Sequence, residues 1–138
     1  MRRFEITEVS GGGIGLTGYG RTLEELFAHL ALGMFGVRAD VTAVQPMATI
    51  PIFAHAEGVD AVLLGWLREL VMASARDGLV FMNCRVRQVA ETAVGGEAMG
   101  EAYDPQRHPL LRDIASVTSS EPVVRRDGAL WVAQVTLA

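Results

Sequence analysis

Residues 59–76 constrain the fold of this chain more than any other part of the sequence. Their apolar members recur every three or four positions, which is the spacing of one helical face. They are Val59, Val62, Leu63, Trp66, Leu67, Leu70 and Val71. A stripe this wide must be buried against a broad apolar surface. The segment therefore predicts a helix that lies on a β-sheet, and Gly78 is placed to end it.

A second helix is predicted upstream, at residues 22–36. Thr22 stands three residues before Glu25, which is the spacing of a capping box. Apolar residues then follow at helical spacing. They are Leu23, Leu26, Phe27, Leu30 and Met34. Gly36 is expected to end this helix, because glycine is common just past a helix C-terminus.

The rest of the chain alternates apolar and polar residues as β-strands do. Strands are expected at residues 4–6, 14–16, 47–54, 81–89, 93–102, 114–118, 122–126 and 130–137. Pro51 cannot donate a hydrogen bond to a neighbouring strand, so strand 47–54 is expected at a sheet edge. Asp127 and Gly128 predict a hairpin between the last two strands. Two helices among several hairpin-connected strands predict an α+β fold, with both helices packed on a largely antiparallel sheet.

Length and charge narrow the classes of function. The chain has 138 residues, which fits a single domain spanning 1–138, and its formal net charge is −4. Contacts from Lys and Arg to phosphates supply much of the affinity for nucleic acids. We therefore expect no direct nucleic-acid binding, and a protein partner instead. Glu5 and Glu8 stand where a signal peptide needs its apolar stretch, and no window is apolar enough to span a bilayer. These features predict a cytoplasmic protein with no membrane segment.

Two patterns resemble cofactor or catalytic motifs without the context that such motifs need. Gly13-Ile-Gly15-Leu-Thr-Gly18 matches the G-x-G-x-x-G pattern of dinucleotide-binding loops. In that fold the third glycine opens a helix, whereas three residues here separate Gly18 from the predicted cap. A glycine-rich turn that leads into a strand explains this segment better than a dinucleotide-binding loop does. Cys84 is the only cysteine and has no base nearby in sequence, so we expect a buried strand residue.

The histidines do not form a metal-binding pattern. No pair of the three has the close spacing of a helical zinc site. His29 falls inside the first predicted helix and His55 follows the third strand, so both are expected at the surface or the edge of the core. His108 differs, because it lies in a polar loop with Glu101 and Asp104. The residues alone predict a globular domain with one polar loop of interest, and they assign no reaction.

Five segments, taken in order along the chain, form a recognisable set. They are Tyr19-Gly-Arg-Thr-Leu-Glu-Glu-Leu-Phe27, Trp66-Leu-Arg-Glu-Leu70, Gly100-Glu101-Ala-Tyr-Asp104-Pro-Gln-Arg-His108, Asp113-Ile-Ala-Ser-Val-Thr118 and Trp131-Val-Ala-Gln-Val135. This set resembles the archease family over nearly the whole chain. The resemblance implies an archease fold and an accessory protein that is not itself an enzyme. Such a protein binds and activates a GTP-dependent tRNA/RNA ligase by promoting guanylylation and turnover.

The resemblance also points to candidate site residues. The polar positions retained from the family pattern are Glu101, Asp104, His108 and Asp113, and they are predicted to form the functional surface. A second interpretation of these four residues is that they only hold their loop in shape.

The metal ligands of the family fall on residues that cannot replace them. The His-Thr-Ala-Asp motif aligns with Ser10-Gly-Gly-Gly13, and the terminal aspartate aligns with Ala138. Side chains of Gly13 and Ala138 offer no oxygen to a hard cation. We therefore expect no cofactor, and at most weak Ca²⁺ or Mn²⁺ binding through backbone carbonyls, the α-carboxylate of Ala138 or Asp113.

Two hypotheses for the function follow from the resemblance. In the first, the chain is a ligase accessory protein with a degenerate metal site. In the second, it is a diverged archease-fold binding module with another protein partner and no metal.

Overall fold

The computed structural model describes residues 2–9, 11–119 and 123–138. Within these ranges the chain forms helices α1 (Leu23–Arg38) and α2 (Val59–Asp77), and a 3-10 turn at Val41–Ala43. The strands are β1 (Phe4–Glu8), β2 (Ile14–Gly20), β3 (Ala48–His55), β4 (Leu79–Val89), β5 (Ala93–Ala102), β6 (Val117–Thr118), β7 (Val124–Asp127) and β8 (Leu130–Leu137). Every pairing between these strands is antiparallel, which confirms the predicted α+β class.

The strands are arranged in two sheets. The first has the order β1-β2-β8-β6, and β7 also pairs with β8. The second has the order β3-β5-β4, so β3 lies at an edge as Pro51 predicted. The hairpin between β7 and β8 is also confirmed. It turns through Gly128 with a φ of +62°, a conformation that glycine adopts without strain.

Both helices pack against the sheets. α1 contacts β2 and β4, so it joins both sheets, and α2 lies on β3, β4 and β5. The apolar stripe of α2 is the centre of the core, where Trp66 and Leu67 have no exposed surface. The indole N–H of Trp66 donates to the carbonyl oxygen of Phe27 at 3.2 Å and so ties α2 to α1. Among the described residues, no helix is long and apolar enough to cross a membrane.

Most helix ends follow the sequence signals. The Thr22 hydroxyl accepts a hydrogen bond from the N–H of Glu25 at 3.1 Å, which is the predicted cap. The Glu25 carboxylate accepts a hydrogen bond from the backbone N–H of Arg21 at 3.3 Å. In a standard capping box it would accept from the N–H of the cap residue itself, Thr22. Gly78 adopts the left-handed conformation and ends α2.

The expected end of α1 at Gly36 is wrong. The helix continues to Arg38, and Ala39 then leaves it in an extended conformation. Val37 packs against the core and Ala39 is 1% exposed, so burial of the last turn favours helix beyond the glycine. Tertiary packing overrides the local stop signal here.

The predicted strand at 114–118 is mostly wrong, because only Val117–Thr118 pairs with β8. The N–H groups of Ala115 and Ser116 both donate to the carbonyl oxygen of Ala138, at 2.8 and 2.9 Å, and so do not form a regular ladder. The alternation came from the burial of Ile114 rather than from strand pairing. Other predicted bounds also differ: β1 and β2 extend to Glu8 and Gly20, β3 begins at Ala48, and β4 begins at Leu79. Residue 122 lies outside the described residues.

The glycine-rich segment forms a turn that leads into β2, as the preferred interpretation predicted. Gly11 and Gly12 have φ values of +91° and +90°. The chain then continues as β2, which pairs antiparallel with both β1 and β8. A dinucleotide-binding loop connects a strand to a helix inside a parallel βαβ unit, so this segment is not one.

Candidate functional site

A compact polar cluster lies where β5 ends. The Glu101 carboxylate accepts two hydrogen bonds from the Arg107 guanidinium, at 2.8 and 3.1 Å. Its Oε2 also accepts from the backbone N–H of Gln45, at 2.6 Å. Glu101 is 7% exposed and His108 is 2% exposed, while Arg107 remains on the surface. The cluster is therefore a buried carboxylate and imidazole covered by an arginine.

His108 is held at both ring nitrogens. Its Nδ1 accepts a hydrogen bond from the backbone N–H of Asp104 at 3.0 Å. The ring proton is therefore assigned to Nε2, which donates to Glu101 Oε2 at 3.1 Å. Because both nitrogens are engaged, this imidazole has none left to bind a metal or take up a substrate proton in this arrangement.

Asp104 and Asp113 are placed differently from Glu101 and His108. The Asp104 carboxylate accepts from the N–H of Gln106 at 3.0 Å, so it shapes its own loop. Asp113 is exposed, and its side chain has no hydrogen bond or ion pair with any described residue. The structure thus joins Glu101 and His108 directly, adds Asp104 through its backbone, and leaves Asp113 apart. Their role as a functional surface stays a prediction.

Two partners of the cluster were not predicted from the sequence. Arg107 lies in the same polar loop, and its position six residues after Glu101 was the available signal. Gln45 contributes a backbone N–H from 56 residues earlier in the chain, which no local pattern could indicate. Together with His108, these two residues supply the four hydrogen bonds that the Glu101 carboxylate accepts.

These contacts change the acidity of the cluster. The hydrogen bonds from Arg107, followed by the one from the Gln45 N–H, lower the pKa of Glu101 to about 2. Burial acts in the opposite direction but is the weaker effect. Glu101 is therefore ionised in the folded protein at all but strongly acidic pH.

We expect the stabilising effect of Glu101 to disappear in acid. A carboxyl group whose pKa is lower in the folded state stabilises that state fully above its ordinary value of 4.5, and loses the effect as pH falls toward about 2. Urea unfolding from neutral to low pH should show wild type more stable than Glu101→Gln near neutrality, with the gap closing below about pH 4.5. Glu57→Gln, at an exposed carboxylate, is the control and should run parallel to wild type. A gap between wild type and Glu101→Gln that does not depend on pH would contradict this assignment.

The two positions that the resemblance assigns to metal ligands lie close together. Ile14 pairs with Leu137 across β2 and β8, so Gly13 and Ala138 are neighbours at one end of the first sheet. A Cβ atom at Gly13 would lie 3.4 Å from the carbonyl oxygen of Leu137. The scaffold therefore brings these two positions together, although neither carries a polar side chain.

The groups around this end do not fit a divalent cation. The carbonyl oxygen of Ala138 is occupied by the N–H groups of Ala115 and Ser116, and the Arg112 guanidinium donates to the carbonyl oxygen of Gly12. Ca²⁺ and Mn²⁺ need several oxygen ligands, usually including carboxylates. The part of the chain that the structure describes contains no group of three or more His, Cys, Asp or Glu that could hold a metal ion.

The remaining candidates, Cys84, His29 and His55, lie outside the polar cluster. Burial raises the pKa of the half-buried Cys84 thiol to about 12, so it stays protonated and a poor nucleophile at neutral pH. His29 Nδ1 lies 2.6 Å from the carbonyl oxygen of Tyr19. His55 is the last residue of β3 and is exposed, so it ends that strand rather than following it.

Known proteins resemble this chain over nearly its whole length. The profile of the Archease protein family (MTH1598/TM1083) matches residues 6–137. A protein of Thermococcus gammatolerans named Protein archease is 36% identical over 140 residues, which cover 97% of this chain and 96% of that protein. The solution structure of Methanobacterium thermoautotrophicum protein 1598 superposes with a TM-score of 0.82 at 26% identity, over 99% of each chain.

A more distant structure shares the fold alone. The crystal structure of a Thermotoga maritima archease, described as a possible chaperone, has a TM-score of 0.59 at 15% identity. It covers 99% of this chain and 96% of that one. The archease-like fold expected from the sequence is confirmed by these superpositions.

Proposed function

This chain belongs to the archease family, and from that membership we propose that it is an accessory protein for a GTP-dependent tRNA/RNA ligase. In this role it binds the ligase and promotes guanylylation and turnover, and it catalyses no step itself. The observation that carries the proposal is a family match that leaves only residues 1–5 and 138 uncovered. A chain that matches the family over nearly its whole length is expected to share the family's mode of action.

The chemistry of the described residues supports an accessory role over catalysis by this chain. Cys84 is held as a thiol, and both nitrogens of His108 are engaged in hydrogen bonds. Neither residue is poised to act as nucleophile or base. The description of the Thermotoga maritima relative as a possible chaperone also fits a protein that acts on another protein.

Ligase turnover tests the proposal directly. The chain is added at substoichiometric amounts to the purified GTP-dependent RNA ligase of the same organism, and guanylylated ligase and ligated RNA are measured. We expect several ligation cycles per ligase molecule in its presence, whereas an equal amount of an unrelated protein leaves turnover unchanged. Stable binding to a different protein with no effect on the ligase would favour the alternative hypothesis of a diverged binding module.

We further propose that this chain acts without a divalent cation of its own. The donors around Gly13 and Ala138 are N–H groups and the guanidinium of Arg112, which repel a cation or compete with it for the same carbonyl oxygens. Affinity in oxygen-ligand sites follows the number of charged ligands and the rigidity of the site. A sample of this chain that has been treated with a chelator should therefore still stimulate the ligase.

Calorimetric titration with Ca²⁺ and Mn²⁺ tests this second proposal. For the unaltered protein we expect dissociation constants above about 1 mM, since no carboxylate pair is present. The double variant Gly13→Asp with Ala138→Asp restores two carboxylates. A Cβ at position 13 meets only methyl groups closely, Thr136 Cγ2 at 3.0 Å and Val9 Cγ2 at 3.1 Å, which can shift.

The control for this titration keeps the size of the side chains and removes their charge. Gly13→Asn with Ala138→Asn should bind as weakly as the unaltered protein, because neutral amides supply less negative charge to a cation. Micromolar binding by the unaltered protein would overturn the proposal. Binding gained only by the aspartate pair would show that the scaffold of the site persists and that its ligands alone were lost.

A further inference from the structure

Strand β1 forms an outer edge of the first sheet, and its backbone groups on the outer side are unused. The carbonyl oxygen of Arg3 accepts from the N–H of Tyr19 at 3.0 Å, and the N–H of Val9 donates to Gly13 at 3.1 Å. Because bonding direction alternates along a strand, the odd-numbered residues of β1 bond to β2. The even-numbered residues direct their N–H and C=O groups outward, where no described residue bonds to them. They are Phe4, Ile6 and Glu8.

The other described edges of the two sheets are interrupted, covered or short. Just past β3, the N–H of Ala56 donates to the carbonyl oxygen of Thr92, so the odd-numbered residues of β3 face its free edge. Pro51 is one of them and has no N–H to donate. Helix α1 packs along β4, and the N–H of Val89 donates to the Glu24 carboxylate. β6 and β7 have only two and four residues. β1 therefore offers five uninterrupted residues to another strand.

The side chains beside this free edge follow a simple order. Phe4 packs under α1, where a Cβ at Gly33 would lie 3.1 Å from its ring. Because side chains alternate along a strand, Ile6 and Glu8 share that side of the sheet with Phe4. Ile6 is 47% exposed, and Glu8 is exposed without an ion pair to any described residue. Arg2 is exposed just before the strand. The edge thus carries a cation, two apolar side chains and an anion.

This order is complementary to itself when it is reversed. Two copies that run antiparallel about a two-fold axis at Glu5 place Phe4 of each opposite Ile6 of the other. The same register places Arg2 of each opposite Glu8 of the other. Apolar pairs and opposite charges across an antiparallel ladder both stabilise it. We propose that β1 is a dimerisation edge, at which the β1 strands of two copies of this chain pair antiparallel and join their first sheets into one.

Other registers lose this complementarity. Only a shift that keeps the unused N–H and C=O groups facing each other is available, so the axis must move by one residue at a time to Ile6 or to Phe4. An axis at Ile6 places Phe4 opposite Glu8, and an axis at Phe4 places Arg2 opposite Ile6. Each sets an apolar side chain against a charged one. Parallel pairing in register is excluded by charge, because it places Glu8 opposite Glu8 and Arg2 opposite Arg2.

Glu5 makes the one contact between like charges in this register, because it lies opposite Glu5 of the second copy. Its carboxylate accepts hydrogen bonds from the Tyr19 hydroxyl at 3.0 Å and from the Arg2 guanidinium. Tyr19 belongs to β2, so it draws the carboxylate away from the free edge. Arg3 is exposed and lies diagonally across from Glu5 of the second copy, within reach of a long side chain. These positive charges offset the repulsion.

Sedimentation equilibrium of the full chain tests the proposal. Contacts smaller than about 1,200 Å² are typical of transient complexes, so two five-residue strands should give a dissociation constant on the order of 0.1 mM. We expect monomer at about 10 μM and mostly dimer at about 1 mM. Ile6→Pro removes an N–H that faces the free edge and spares the bonds to β2, so this variant should stay folded and monomeric. Thr49→Pro makes the same change at the free edge of β3 and, as the matched control, should dimerise like the unaltered chain.

Charge reversal and cross-linking test the register. Glu8→Arg should weaken dimerisation about tenfold, because two exposed charge pairs become repulsive, and Arg2→Glu combined with Glu8→Arg should restore it. Glu5→Cys in a Cys84→Ala background, which removes the only native cysteine, should form a disulfide between copies. Its two Cα atoms would lie about 4.5 Å apart, within disulfide range. Ile6→Cys in the same background should not, because its two copies lie diagonally, about 7–8 Å apart.

Several outcomes would overturn this inference. They are a chain that stays monomeric at about 1 mM, equal dimerisation of Ile6→Pro and the unaltered chain, or equal cross-linking through Ile6→Cys and Glu5→Cys. If Ile6→Pro does not fold, Ile6→Lys takes its place, since a charge at this exposed position should oppose Phe4 of the second copy. The inference goes beyond the proposed accessory role and does not depend on it. Ligase stimulation by a chain that never dimerises would contradict this inference alone.

Discussion

Replacing Gly100 with alanine is expected to lower the free energy of unfolding by roughly 3 kcal/mol or more, at the upper end of the cost of overpacking. A Cβ atom at this position in β5 would lie 1.9 Å from the carbonyl oxygen of Val80 and 2.8 Å from Phe81 Cα. Both are backbone atoms of β4, beside the irregular register between Phe81 and Asn83. Backbone cannot rotate away as a side chain can, so the strands must separate.

Urea unfolding followed by circular dichroism measures this effect. Gly36→Ala in α1 is the matched control, because a Cβ there has no atom within 4 Å. That substitution should raise stability by about 0.5 kcal/mol through helix propensity. Unfolding of Gly100→Ala at the same urea concentration as wild type would show that β4 and β5 do not approach as closely as described.

Trp66→Ala is expected to cost about 3–5 kcal/mol, the range for removing a large aromatic side chain from a core. Trp66 has no exposed surface, and its indole N–H donates to the Phe27 carbonyl oxygen. The substitution leaves a cavity where α2 meets α1 and the second sheet, and it removes a hydrogen bond between the helices. We expect a protein that is largely unfolded at moderate temperature.

The second tryptophan of the chain provides the comparison for Trp66. Trp131 is half-buried, and the Arg126 guanidinium lies 4.7 Å from its ring centroid. Trp131→Ala should therefore cost clearly less than Trp66→Ala, since less surface is buried and solvent can fill the space. Equal losses from the two substitutions, measured by urea unfolding, would refute the central position of Trp66 in the core.

The local elements of the fold could be predicted because their causes lie close together in sequence. The cap at Thr22, the end of α2 at Gly78 and the hairpin at Gly128 each depend on residues within one turn. The apolar stripe of α2 predicted a sheet beneath it, since a helix face that wide cannot stay exposed. Pro51 predicted an edge strand because it lacks the N–H that an inner strand must donate.

Predictions failed where the packing of distant segments outweighed a local signal. Gly36 is a good stop signal in isolation, yet α1 continues because Val37 and Ala39 gain burial beyond it. Residues 114–116 alternate like a strand, but the carbonyl oxygen of Ala138 takes the N–H groups of Ala115 and Ser116. Neither the core that buries the end of α1 nor the contact with Ala138 can be identified from neighbouring residues in the sequence.

The candidate site was likewise predictable only in part from the sequence. The sequence alone determined which polar residues are present, that the side chains of Gly13 and Ala138 carry no oxygen, and that two helices must cover antiparallel sheet. Only the tertiary structure decided that Glu101 and His108 share a hydrogen bond while Asp104 turns to its own loop. The physical reason is range: helical and strand patterns depend on neighbours along the chain. A buried carboxylate is instead satisfied by whichever donors the folded backbone brings to it, as the N–H of Gln45 shows.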